Sequence, residues 1–228
     1  MHLKKVIISF FYFLVLCALC YGIVISDFRI MFISMLVLFL YLFINYIDII
    51  FSLNISFKLK LFIYFFLFCS EILGEVFDFY SIIPFWDNIL HFLSSILFVY
   101  VGYLIFKTFI GTMNCDILFI LFSFMFCFSI SMAVLWEFVE YSSDMLLNSD
   151  MQKDNFVDNI NTTLFSSVNN TISINNIYRT DIYTNDGILS LNGYLDLGLS
   201  DTIEDLLISI YGSFITSFII ILFQRKKT

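Results

Sequence analysis

Six apolar stretches, at approximately 5–26, 30–50, 60–80, 86–107, 117–143 and 202–224, govern what this chain can become. A bilayer core of about 30 Å is crossed by roughly 20 apolar residues in helical form. Each stretch meets that length, and the second carries Asp48 near its end. With 61% hydrophobic and 13% charged residues over 228 positions, the chain lacks the polar groups to cover a water-soluble fold. The expected architecture is an all-α membrane protein: a six-helix transmembrane bundle, with residues 1–147 supplying five helices and 200–228 the sixth helix and a basic tail, all in one domain. Lys4 and Lys5 precede the first run, but it is longer than the apolar core of a signal peptide and no A-x-A-like site follows. It is read as a retained helix.

Orientation follows from the basic residues. With the N-terminus inside, Lys4, Lys5, Lys58, Lys60, Lys107, Arg225, Lys226 and Lys227 fall on the inner side, and Arg29, Lys153 and Arg179 on the outer side. Both termini are therefore expected to be cytoplasmic. Cys17, Cys20, Cys69, Cys115 and Cys127 lie within spans or inside, so no outer disulfide is expected. Cys17-x-x-Cys20 sits mid-helix without a second pair and reads as core.

Nineteen acids against eleven bases give a net charge of −8, which disfavours a nucleic-acid partner and leaves the lipid bilayer as the expected one. The acids are unevenly placed. Apart from Asp48 and Asp116, they lie in outer segments or outer helix halves. On the third run Glu71, Glu75 and Asp78 are spaced i, i+4, i+7, the spacing of one helical stripe. Asp87 and His91 are i, i+4 on the fourth. Glu137, Glu140 and Asp144 share a stripe on the fifth, and Asp201, Glu204 and Asp205 open the sixth. Ionisable groups at membrane depth are costly and mark functional sites facing the bundle interior. Such a cluster either takes up protons or binds cations. Carboxylates with one imidazole suit a divalent ion such as Mg²⁺, Mn²⁺, Ca²⁺ or Zn²⁺, with Asp87, His91, Glu137, Glu140, Asp201, Asp205, Glu71 and Glu75 as candidate ligands. Simpler roles exist for some. Asp201 and Glu204 resemble a capping box after Ser200, Asp87 suits a helix N-cap, and Asp78 and Asp144 suit solvated headgroup positions. A core histidine bonded to a neighbouring carboxylate is the plain alternative for His91. Trp86 and Trp136 fit interfacial anchors.

The segments Trp86-Asp87-Asn88-Ile89-Leu90-His91-Phe92, Trp136-Glu137-Phe138-Val139-Glu140 and Asp201-Thr202-Ile203-Glu204-Asp205, the last followed by Gly212, resemble the YjdF-like family of uncharacterised bacterial membrane proteins. The order D-x-x-x-H-F, E-x-x-E, D-T-x-x-D…G carries the likeness over about residues 70–215. A more distant similarity is to VanZ-like proteins, which are associated with glycopeptide-antibiotic resistance. The resemblance singles out Asp87, His91, Glu137, Glu140, Asp201 and Asp205 and implies no reaction.

Residues 148–199 turn sharply toward Asn, Ser, Thr and Asp and form the expected extracytoplasmic loop. Apolar and polar residues alternate around Asp186-Gly187, a hairpin signal, with 171–177 as a further strand. Such a hairpin would serve as a lid. Three functions fit. One is an enzyme acting on a lipid-linked or amphiphilic substrate at the outer leaflet, with a metal-activated water and Glu137 or Glu140, or His91, in acid–base roles. The second is a non-catalytic envelope accessory with a structural cation. The third is a cation or proton transporter, against which stands the apolar inner half of the bundle.

Overall fold

The computed structural model describes residues 2–50, 54–110, 117–147, 149–165 and 170–225; Asp116, Cys115, Lys226 and Lys227 lie outside them. The backbone is helical because nothing in a hydrocarbon layer can satisfy a free N–H or C=O. In order come α1 (His2–Ile25), α2 (Phe28–Ile50), α3 (Phe57–Leu67), a π-helical segment (Phe68–Val76), α4 (Phe79–Ile82), α5 (Trp86–Ile110), α6 (Leu118–Leu147), six short strands and α7 (Leu199–Arg225). Five of these, α1, α2, α5, α6 and α7, are long and apolar enough to cross a membrane among the described residues. The third apolar run does not form one straight helix. It is divided between α3 and the π-helical segment, and the chain then leaves through Asp78 in the left-handed region (φ 58°).

The chain groups into two units, residues 1–130 with 208–228, and residues 131–207. In the first, α1 and α2 form a helical hairpin whose turn is fixed by Asp27, which accepts the Ile30 amide at 3.1 Å as a helix cap. Val15, Ala18, Ile33, Val37 and Tyr41 pack there with Tyr64 of α3 and Ile72 of the π-helical segment. Tyr41 and Tyr64 stack at 4.2 Å, and the Tyr41 hydroxyl donates to the Tyr64 carbonyl at 2.7 Å. Asp48 does not end α2. It pairs with Lys60 of α3 at 2.6 Å and accepts the Ile55 amide at 2.8 Å, so a charge at the end of the apolar run is compensated where it stands. A second cluster joins Val99 and Phe106 of α5 to Leu118, Leu121 and Met125 of α6.

The second unit holds the C-terminal part of α6, the polar loop and the first turns of α7. Its strands β1 (Phe156–Val157), β2 (Ile160–Thr162), β3 (Ile172–Ile174), β4 (Thr180–Thr184), β5 (Gly187–Leu191) and β6 (Tyr194–Leu195) pair antiparallel as β1 with β6, β2 with β3 and β4 with β5. In the last pair Thr184 faces Gly187 across Asn185-Asp186. The segment 171–177 thus contributes β3, whose partner is β2 and not the hairpin.

Candidate functional site

Asp87 and His91 stand on the first two turns of α5. Pro84 and Phe85 precede the helix, Phe85 with φ 64°, and Trp86 opens it with its ring edge-on to Phe79 at 5.0 Å. Asp87 therefore lies inside the first turn, not at the N-cap, where its charge complements the positive end of the helix. His91 is buried, and its Nε2 lies 3.6 Å from Asp87 Oδ1, an ion-pair distance too long for a hydrogen bond. One turn further in, the Ser95 hydroxyl donates to the His91 carbonyl at 2.7 Å, and Ser94 donates to the same oxygen at 2.8 Å.

The π-helical segment separates the fates of the acids on the third run. Glu71 and Glu75 both lie in this segment, but it ends at Val76 and Asp78 follows in the left-handed region, so the i, i+4, i+7 stripe does not reach Asp78. Glu71 takes a hydrogen bond from Ser70 at 3.3 Å, whereas Glu75 stands 3.6 Å from Arg29 of α2 with 41% of its side chain exposed. Asp78 is exposed and accepts from the Ser81 hydroxyl at 2.8 Å.

In the second unit, α6 is polar inside and apolar outside. Glu137 and Glu140, one turn apart, are buried, while Phe138 and Val139 between them are exposed. That reverses a water-soluble helix and is what a lipid-facing surface requires. The Trp136 indole donates to Glu140 Oε1 at 2.7 Å, so a residue read from sequence as an interfacial anchor also orients a candidate ligand; the i, i+4 spacing was its signal. On α7, Asp205 is buried and Glu204 exposed. The helix begins at Leu199, and its cap is Asp196, which accepts the Leu199 amide at 2.7 Å and the Ser200 amide at 3.1 Å. This replaces the capping box expected after Ser200.

Asp201 and Asp144 hold the loop. Asp144 accepts the Met151 and Gln152 amides at 2.6 and 2.8 Å, Asp201 accepts the Lys153 amide at 2.9 Å, and the Gln152 side chain donates to Thr202 at 2.6 Å. Gly198 closes the strap: with φ +77°, a Cβ there would lie 2.9 Å from the Gln152 carbonyl oxygen. Outside the helices, Asp154 is pushed above the usual carboxylate range by its surroundings and by Asp150, Asp196 and Asp144, and Asp181 is held below it by hydrogen bonds from Arg179 and Ser190.

Compared with known proteins, residues 6–226 match the family described as "Predicted membrane protein (DUF2238)". No curated protein and no solved structure matches the chain.

Proposed function

Because the chain belongs to this family of membrane proteins, we propose that its buried ionisable side chains hold a divalent cation at the level of the outer leaflet. The observation that carries the reading is burial. His91, Glu137, Glu140 and Asp205 are 5, 6, 5 and 2% exposed in helices otherwise long and apolar enough to cross a membrane. Carboxylates removed from water need a proton or a cation beside them. The proposed donor sets are Asp87 with His91 on α5, Glu137 with Glu140 on α6, and Asp205 on α7, the positions that the three sequence motifs single out. Oxygen donors with one imidazole accommodate Mg²⁺, Mn²⁺, Ca²⁺ or Zn²⁺. Glu71, Glu75 and Asp201 are left out of these sets because Ser70, Arg29 and the Lys153 amide engage them.

In this reading the third run also crosses the membrane, as α3 continued by the π-helical segment, so that six crossings leave both termini in the cytoplasm. Bound at the donors, a divalent ion would lend Lewis acidity to an oxygen of an amphiphilic or lipid-linked substrate. Whichever of Glu137 and Glu140 the ion leaves unligated would then act as base.

Metal analysis of the purified chain, wild type against His91→Ala and Glu137→Gln, tests the cation. Bound metal near one equivalent is expected, falling at least tenfold in both variants, with EDTA lowering the melting temperature of the wild type only. Equal metal content in all three proteins, or no effect of EDTA, refutes it. If metal is present, a folded but inactive Glu140→Gln favours the enzyme over a purely structural cation.

A further inference from the structure

The acids are not the last polar groups along α7. Stepping inward by four from Asp201 gives Asp205, Ser209, Ser213 and Ser217, one slowly drifting face about 24 Å long at 1.5 Å per residue. Helix α5 repeats the pattern with Asp87, His91 and Ser95. Within the first unit these faces meet. Ser213 Oγ donates to Ser129 Oγ of α6 at 2.8 Å, and Ser129 Oγ donates to the Ser95 carbonyl at 3.2 Å. Ser95 in turn donates to the His91 carbonyl. A Cβ on Gly212 would lie 2.9 Å from Ser95 Cβ, which shows how closely α5 and α7 approach.

Small residues commonly line membrane helix interfaces because they let backbones come together. Close packing alone does not account for Ser209 and Ser217. They are 1% and 0% exposed, and neither hydroxyl has a hydrogen-bond partner among the described residues. A helical serine ordinarily donates to the carbonyl one turn back, and these two do not. A buried hydroxyl left unpaired costs about 1–3 kcal/mol, and lipid offers it nothing. The two lie one turn either side of Ser213, on the face that Ser213 turns toward α6. Inside proteins, such groups are satisfied by ordered water.

We propose that the α5–α6–α7 seam binds internal water, in a short chain running from Ser209 past Ser213 to Ser217. Each hydroxyl offers one proton and two lone pairs, so the bonded Ser213–Ser129 pair still has acceptor capacity for water on either side. The chain ends inward at Ile220 and Ile221, which pack on the cluster of Val99, Leu121 and Met125. The hydrogen bond from Gln224 to Tyr103, at 3.0 Å, lies beyond this apolar plug. The seam is therefore a hydrated shaft closed at its inner end, and the inner half of the molecule is wetter than its apolar composition suggests. No cation is required for this.

X-ray pulse radiolysis of the full chain in lipid nanodiscs, read by mass spectrometry, tests the water, because internal water generates hydroxyl radicals where it is bound. Met125 is the reporter: it is fully buried and one turn from Ser129. We expect Met125 to be oxidised in the wild type, with or without EDTA, and the yield to fall several-fold in Ser209→Ala/Ser217→Ala. If that variant does not fold, Ser217→Ala alone makes the comparison. An unoxidised Met125 in the wild type, or an unchanged yield in the variant, overturns the proposal and leaves the cation reading untouched.

Discussion

The hydrogen bond from Trp136 to Glu140 joins an amphipathic ring to a buried carboxylate on the same helix face. Trp136→Phe keeps the ring and removes the donor, so the helix is expected to survive while Glu140 loses its orientation. Loss of a partner of this kind lowers metal affinity about 10–100-fold, and calorimetric titration of the metal-free protein would read it; unchanged affinity separates Trp136 from the cation. Asp181 offers a simpler case outside the helices. Its folded form titrates below the ordinary carboxylate range, so it contributes stability above that range and loses it as pH falls through the lowered value. Amide exchange in β4 and β5 should accelerate on acidification below about pH 4, and Asp181→Asn should remove that acid limb. At this scale the sequence singled out turns on which His91, Glu137, Glu140 and Asp205 are all buried. It could not separate them from Asp201 and Asp144, whose type and spacing are equally suggestive but whose oxygens are taken by loop amides. Side-chain to backbone bonding across a loop leaves no periodic mark.

Among the elements, the third run was the hardest to read. Its apolar length pointed to one span and its Glu71–Glu75–Asp78 spacing to one face, and the second inference assumed an α-helix that continues through Asp78. A π-helical stretch has no compositional signature, so Ser70, Glu71 and Gly74 are as compatible with α as with π. The long helices were legible because length and apolarity suffice in a bilayer, and the alternation around Asp186-Gly187 marks a segment that the β4–β5 pair occupies. The loop strap makes its own prediction. Gly198→Ala forces a left-handed backbone on a residue with a side chain, and its Cβ meets the Gln152 backbone, so a loss of about 1–3 kcal/mol is expected. Limited proteolysis around 148–155 should become markedly faster. Asp144→Ala, which strands two amides, should do the same, and equal cleavage rates in both variants and wild type would show that the strap holds nothing.

For the molecule as a whole, the net charge of −8 says less than its distribution along the chain: the segments that the basic residues assign to the inner side are basic, and the buried acids sit on helix turns assigned to the other. Orientation is testable because parity decides it. Five crossings place the termini on opposite sides and six on the same side, so C-terminal fusions to reporters active on only one side of the membrane should report cytoplasm for a six-crossing chain. Helix packing offers a second handle. Gly212→Val would drive a branched side chain into Ser95 and is expected to cost about 1–3 kcal/mol, seen as a lower melting temperature in detergent; an unchanged value would mean that α5 and α7 tolerate separation.

The nine-residue π-helical segment has a consequence for how such a chain can change over generations. Deleting one residue from a membrane helix swings every later side chain by about 100° and ruins its faces. Phe68–Val76 already holds more residues per turn than an α-helix, so a deletion there would tighten the coil and leave its flanks in place. This is the stretch of the third run where a change in length would be absorbed with least disturbance to its flanks.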